Sequence, residues 1–245
     1  MKKNLTFTLS IAFISLCFCG CVIVNFMDFN SISGKGNPES FEILVDSYNR
    51  IRVEGYCDIR YYASSRDTVT LEIQPNLREY YTIEVVGDEL VVRTIKRISF
   101  SSSITPVLSV YTPILDRVTI EGVSNFTTND KITSSSFSFA LSGTGNGKAE
   151  LDVGSLYVMM SGAGDLELSG RADTVDFRLS GAGEMDALPL QSREATIYLS
   201  GTGTIRINSS EALHVNASGT GTVVYAGSPS LTLNNSGLVT VRKAD

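Results

Sequence analysis

Five near-copies of one phrase decide the fold: LSGTGNG at 141–147, MSGAGDL at 160–166, LSGAGEM at 179–185, LSGTGTI at 199–205 and ASGTGTV at 217–223. Such a stretch can cradle a phosphate, expose a nucleophile or turn the corner of a repeating scaffold. The residues before it choose among these. Each corner is preceded by a triplet at steps of two: Val118/Ile120/Gly122, Phe137/Phe139/Leu141, Leu156/Val158/Met160, Val175/Phe177/Leu179, Ala195/Ile197/Leu199, Leu213/Val215/Ala217 and Leu231/Leu233/Asn235. A step of two is the period of a strand showing one face to a core. From Gly122 to Asn235 the triplets recur at spacings of 19, 19, 19, 20, 18 and 18 residues. A unit this short cannot bury its own apolar face, so the copies stack into a coil.

The corner residues then have a mechanical task. Gly143, Gly162, Gly181, Gly201 and Gly219 are expected to take positive φ, while the second glycine of each pair lets stacked corners approach. Ser142, Ser161, Ser180, Ser200 and Ser218 form a column whose hydroxyls bond the neighbouring rung or their own turn. The chemical readings fail on detail. Gly143-Thr144-Gly145-Asn146-Gly147 lacks the Gly-Lys-Ser/Thr ending of a phosphate loop, and no helix follows it. No Gly-x-Ser-x-Gly elbow occurs, and a nucleophile is needed once, not five times.

Upstream, from Phe41 to Leu115, short alternating runs rich in β-branched and aromatic residues predict strands. Val85-Val86-Gly87-Asp88-Glu89-Leu90 predicts a hairpin, and NLREYY at 76–81 a single helical turn. The domain expected is one all-β solenoid over 38–245, irregular over 38–115 and in regular rungs of about nineteen residues over 116–245. Asn235 stands where earlier rungs carry Leu or Met, which suits a last rung open to water. Arg242, Lys243 and Asp245 would guard that edge.

The N-terminus is an address. Met1-Lys2-Lys3-Asn4 and the apolar LTFTLSIAFISLCF form a secretory signal, and Gly20-Cys21 resembles the site where a bacterial lipoprotein is cut and acylated. Phe18 departs from the usual leucine of that site. Residues 1–20 are thus expected as a signal peptide, Cys21 as the lipidated residue and 21–37 as a tether. An uncut membrane anchor is the alternative. Either way the destination is the cell envelope, in the cleaved case as an outer-membrane lipoprotein of a Gram-negative bacterium. Cleavage leaves Cys57 as the one cysteine besides the lipidated one, expected as a small buried hydrophobe.

Composition narrows function. Among 245 residues the net charge is −6, and there is no basic run past the first residues, which argues against a nucleic-acid partner. His214 is the single histidine, so sites needing two histidines are excluded; no metal and no cofactor are expected. The strand register gives two outward columns, Ser138/Tyr157/Asp176/Thr196/His214/Thr232 and Ala140/Met159/Arg178/Tyr198/Asn216/Asn234. Tyr157, Asp176, Arg178, Tyr198 and His214 make a candidate face for sugar rings. The alternative is a polysaccharide-active enzyme using Asp165, Glu167, Glu184 and Asp186, which cluster after two adjacent corners. No arginine or histidine is expected beside them, and a solvated acidic face is the simpler reading. Asp67-Thr68-Val69 and Asp173-Thr174-Val175 match a short O-glycosylation acceptor pattern.

Together RIRVEGYCDIRY, GDELVVRT, VYTPILDRVTIEGVSNF and the SGTG and SGAG corners resemble the auto-transporter adhesins with a head GIN domain, small envelope lipoproteins. Gly122-Val123-Ser124 stands where that family has Gly-x-Gly. The resemblance implies a right-handed β-helix-like solenoid and brings no catalytic residues. The function expected is a non-enzymatic, lipid-anchored envelope protein that binds a glycan or an envelope protein. A structural spacer is a further reading.

Overall fold

The computed structural model describes residues 30–95, 98–101 and 104–244. The signal segment, Cys21, the tether residues 22–29 and Asp245 lie outside them. Within the expected tether, Asn30–Ser33 is a strand, paired in parallel with Ile98–Ser101. The described residues are β throughout apart from a short 3-10 turn at Pro75–Tyr80. The hairpin forms as expected: Tyr81–Val86 runs antiparallel to Glu89–Thr94 and closes through Gly87, at φ 68°, and Asp88.

The coil is carried by Gly147–Met160, Ala163–Leu179, Ala182–Leu199 and Thr202–Ala217, each running almost from one corner to the next. Successive strands pair in parallel. The half of each rung before its corner is called here the leading half, and the half after it the trailing half. Phe137, Leu156, Val175, Ala195, Leu213 and Leu231 are register partners in turn, as the triplets predict. Unequal rung lengths are absorbed away from the corners. The ladder shifts between Glu167 and Gly170, and again between Ala187 and Gln191, opposite the constant Ser-Gly turns.

The first rung departs from the expected register. Val118 pairs with Phe139 and Ile120 with Leu141, so Gly122 lies under Gly143 rather than under Leu141. The surplus is two residues, and it sits between Thr127 and Ile132. Thr127 pairs with Lys148, whereas Ile132 pairs with Leu151. Because the surplus is even, every side chain keeps its face.

Parallel stacking also reaches back across the chain. Arg50–Val53 and Asp58–Ala63 form a rung beneath Arg117–Ile120 and Phe126–Thr128, with Gly55 under Gly122. The residues between return as Glu89–Thr94 and Val107–Thr112, which stack below that rung in turn. The antiparallel strands Glu39–Ile43, Thr68–Ile73 and Tyr81–Val86 close this end.

Corner geometry assigns the glycines differently from the sequence expectation. Positive φ belongs to the second glycine of each pair, for example 145° at Gly183, and the first glycines are absent from that conformation. The first glycines are fixed by contact: a Cβ on Gly181 would stand 1.9 Å from the Gly162 carbonyl oxygen. Such a Cβ has no room, because the N–H groups of Ser180 and Gly181 both reach the Met160 carbonyl, at 2.9 and 3.1 Å. These backbone bonds, repeated at each rung, hold the corner. The serine hydroxyls point mostly to solvent, and only Ser142 reaches back, to the Ile120 carbonyl at 3.4 Å, among the five repeat serines.

After the corner a side-chain ladder continues the stacking. Asp58 Oδ1 accepts the Asn125 N–H at 3.0 Å, and Asn125 Oδ1 that of Asn146 at 2.9 Å. Asn146 Oδ1 accepts from the Asp165 N–H at 3.0 Å and Asp165 Oδ1 from the Glu184 N–H at 2.9 Å. Inside the coil Phe137, Phe139, Phe177, Ile197 and Val215 are buried, and the Phe126 and Phe139 rings lie 5.8 Å apart. At the far end the described residues leave the last inward side chains partly open: Leu231 is 41% exposed and Leu233 45%. Asn235 ties that final corner, donating to the Val239 carbonyl at 2.7 Å and accepting the Gly237 N–H at 3.1 Å.

Candidate functional site

The leading halves make one continuous outer face. Strand alternation turns every second residue outward, and the parallel register stacks these residues into columns. The first column runs Glu89, Arg50, Arg117, Ser138, Tyr157, Asp176, Thr196, His214, Thr232. Beside it runs Arg52, Thr119, Ala140, Met159, Arg178, Tyr198, Asn216, Asn234, with the buried Val91 paired below Arg52. An open groove of about 730 Å³ lies along this face, lined by Arg50, Asp116 and Arg117 at one end and by Ser138, Tyr157, Thr174, Asp176 and Thr196 beyond.

Four of the five residues singled out from the sequence meet in one cluster. Arg178 forks onto Asp176, Nε to Oδ1 at 2.9 Å and its second nitrogen to Oδ2 at 3.0 Å. Its guanidinium carbon lies 4.7 Å from the Tyr198 ring centroid and 5.4 Å from that of Tyr157. A planar cation between two aromatic faces, held by a bidentate carboxylate, is a favourable arrangement for arginine. The hydrogen bond to Asp176 is the chief reason its pKa rises further above the usual range. One face of each tyrosine is therefore occupied by Arg178, and the tyrosines are presented edge and outer face to solvent. His214 stands apart, exposed between Thr196 and Thr232 in its column.

The acidic group is also assembled: Asp165 pairs with Glu184 and Glu167 with Asp186 across neighbouring rungs. Its surroundings correct the expectation that no arginine accompanies it. Arg206 is ion-paired with Glu184, and Lys148 with Glu167 at 2.7 Å. Asp165 and Asp186 each accept a backbone N–H, from Glu184 and Leu188. Among the described residues no group of three or more His, Cys, Asp or Glu side chains is placed to hold a metal ion. Cys57 is fully buried, and burial pushes its thiol up to about 12.

The sequence reading missed a second recess on the leading face. It measures about 580 Å³ and is lined by Tyr198, Ser200, Asn216, Ser218, Asn234 and Ser236 with the backbone-side residues between them. Asn216 and Asn234 are legible as column members from the register; that they form a hydrogen-bonded amide pair, Asn234 Nδ2 to Asn216 Oδ1 at 3.1 Å, is not.

The family described as "Putative auto-transporter adhesin, head GIN domain" matches residues 47–229. The chain belongs to that family. No curated protein matches it. Among solved structures, one described as a "putative adhesin" from Bacteroides fragilis is similar with 21% identity and a TM-score of 0.84, covering 87% of this chain and 100% of that one. A "putative lipid binding protein" from Parabacteroides distasonis shares 22% identity, with a TM-score of 0.70 and coverage of 88% and 100%. A "putative adhesin" from Parabacteroides merdae shares 20% identity, with a TM-score of 0.64 and coverage of 88% and 100%. At these identities they establish the fold of this head GIN domain. Its Gly122-Val123-Ser124 corner fits the same stack: Ser124 takes the place of the second glycine, and its buried hydroxyl donates to the Cys57 carbonyl.

Proposed function

We propose that this head GIN domain is a non-enzymatic binding module of the cell envelope, held at a membrane by lipid on Cys21, with its leading face turned to a glycan. The observation that carries the reading is the continuity of that face. Hydroxyl, tyrosine and amide side chains stand in columns one strand spacing apart, roughly 4.8 Å, along an open groove. An extended polymer of polar units would meet a polar or aromatic side chain at each rung, charged toward Arg50 and Arg117 and neutral toward Asn216 and Asn234. The coil interior is filled by Phe137, Phe139 and Phe177, so a ligand is met from outside. Family membership supports an exported, envelope-associated role. No helix among the described residues is long and apolar enough to cross a membrane. An envelope protein is the other partner that a face of this kind suits.

Binding rather than turnover is favoured by the state of the carboxylates. Each of the four is engaged in holding the scaffold: Glu184 and Glu167 pair with Arg206 and Lys148, and Asp165 and Asp186 accept backbone N–H groups. The test is a polysaccharide panel incubated with the full-length protein in detergent, with and without EDTA. Retention of one polysaccharide in both conditions, with no new reducing or unsaturated ends, is expected. Product release, or binding that needs Ca²⁺, contradicts the reading and turns attention to the acidic group.

A further inference from the structure

Resting on the glycan reading above, we infer that the recess at Tyr198, Asn216 and Asn234 is a subsite for a neutral pyranose unit. Three features of the recess select that chemistry. The first is a fixed aromatic wall. Arg178 covers one side of the Tyr198 ring at 4.7 Å and is itself pinned by Asp176, whereas Arg178 does not line the recess. Tyr198 is 40% exposed and borders the recess, so its ring offers an apolar plane whose orientation is already set. The carbon–hydrogen face of a pyranose stacks on such a plane.

The second feature is the polarity of the amide pair. Asn234 Nδ2 donates to Asn216 Oδ1, which fixes both amide orientations. An asparagine carries two N–H donors and a carbonyl acceptor. The bond leaves Asn216 Nδ2 as donor and Asn234 Oδ1 as acceptor, one rung apart on the same face. Adjacent sugar hydroxyls each donate and accept, so a vicinal pair answers one donor and one acceptor at once. The third feature is charge. Every side chain lining the recess is uncharged, whereas the groove at the other end of the face carries Arg50, Arg117, Asp116 and Asp176. A desolvated carboxylate needs a counter-charge, and the lining of the recess supplies none. Uronic, sialic and phosphorylated sugars are therefore selected against there.

The experiment is saturation-transfer NMR on the full-length protein in detergent. The probes are the methyl glycosides of glucose, galactose and mannose, with methyl glucuronide as charged comparison. Asn216→Asp exchanges the free donor for an acceptor at constant shape on a half-buried strand position, and the melting temperature serves as the folding check. Transfer to ring protons of at least one neutral glycoside is expected, well above that to the glucuronide. It should fall roughly tenfold in Asn216→Asp, the worth of one or two hydrogen bonds, and by a similar factor in Tyr198→Ala, which removes the stacking plane. Transfer that survives Asn216→Asp but disappears in Tyr157→Ala overturns the subsite and keeps the face. Preference for the glucuronide overturns it as well. Absence of transfer to every glycoside, joined to a blank polysaccharide panel, overturns both.

Discussion

At the scale of single residues, the corner glycines separate two requirements that the sequence shows only as a pair. Both Gly181 and Gly183 are forced by the carbonyl of the rung below, but only Gly183 also needs φ of 145°. A repeat of Ser-Gly-x-Gly marks a tight corner without saying which glycine turns the chain, since both demands exclude a Cβ. Gly181→Ala should lower stability by about 3 kcal/mol or more through backbone collision, and Ser180→Ala by less than about 0.5 kcal/mol. Chemical denaturation of the two variants reads the difference directly. Cys57 is a different case, because an isolated cysteine among Val, Ile and Tyr is legible as a buried hydrophobe. Its thiol, at about 12 in the folded protein, should resist alkylation in native buffer at neutral pH and react fully once unfolded. The unfolded thiol ionises near pH 8.5. Its contribution to stability is therefore intact below that pH and is lost as pH rises toward 12. Burial raises the Tyr48 and Tyr81 hydroxyls in the same direction, so alkaline unfolding should start in the closed N-terminal end. Tyrosine absorbance followed against pH checks this.

At the scale of the rung, alternation and spacing are enough to place the inward and outward side chains of the leading halves from Phe137 onward. The first rung departs from the constant spacing because its pairing offset is 21 residues, Val118 to Phe139, against 19 in the next. The two surplus residues between Thr127 and Ile132 sit in a bend whose composition, Asn-Asp-Lys, looks like any turn. Even parity kept the faces right while the pairing was off. The Asx ladder of Asp58, Asn125, Asn146 and Asp165 was not legible at all, since in sequence these residues are ordinary turn formers 67, 21 and 19 positions apart. It makes a sharp prediction. In Asn146→Ala the Asp165 N–H loses its acceptor, at a cost of about 1 kcal/mol, and its hydrogen exchange should quicken while that of Glu184 holds. Unchanged exchange at Asp165 would show that the ladder bond carries no weight. The Arg178 cluster lies between these extremes. Its members were found from the columns, but the stacking of one guanidinium on two tyrosines depends on rotamers that periodicity does not encode.

At the scale of the whole molecule, stability is a sum over neighbouring rungs, so damage should spread from where it is made. Phe177→Asp puts a carboxylate without a partner in the middle of the stack and should unfold the central rungs, a loss above about 4 kcal/mol. A cooperative melt at the wild-type temperature would contradict the register. The two ends of the coil differ among the described residues: one is closed by antiparallel strands from distant parts of the chain, the other leaves Leu231 and Leu233 half-exposed and Leu238 80% exposed. The out-of-order stacking at the closed end escaped the sequence because nothing local distinguishes a strand that stacks on its neighbour from one that stacks 67 residues away. Between the ends, the columns of the leading face depend on every rung keeping its phase, and this links the glycine corners to binding. Comparing three forms of the protein on one glycan array tests that link most directly: wild type, Tyr157→Ala/Tyr198→Ala, and Glu167→Ala/Asp186→Ala on the trailing face. The first and third should bind the same glycans and the second none. Binding kept by the tyrosine variant, or lost only in the trailing-face variant, would contradict the assignment of the leading face.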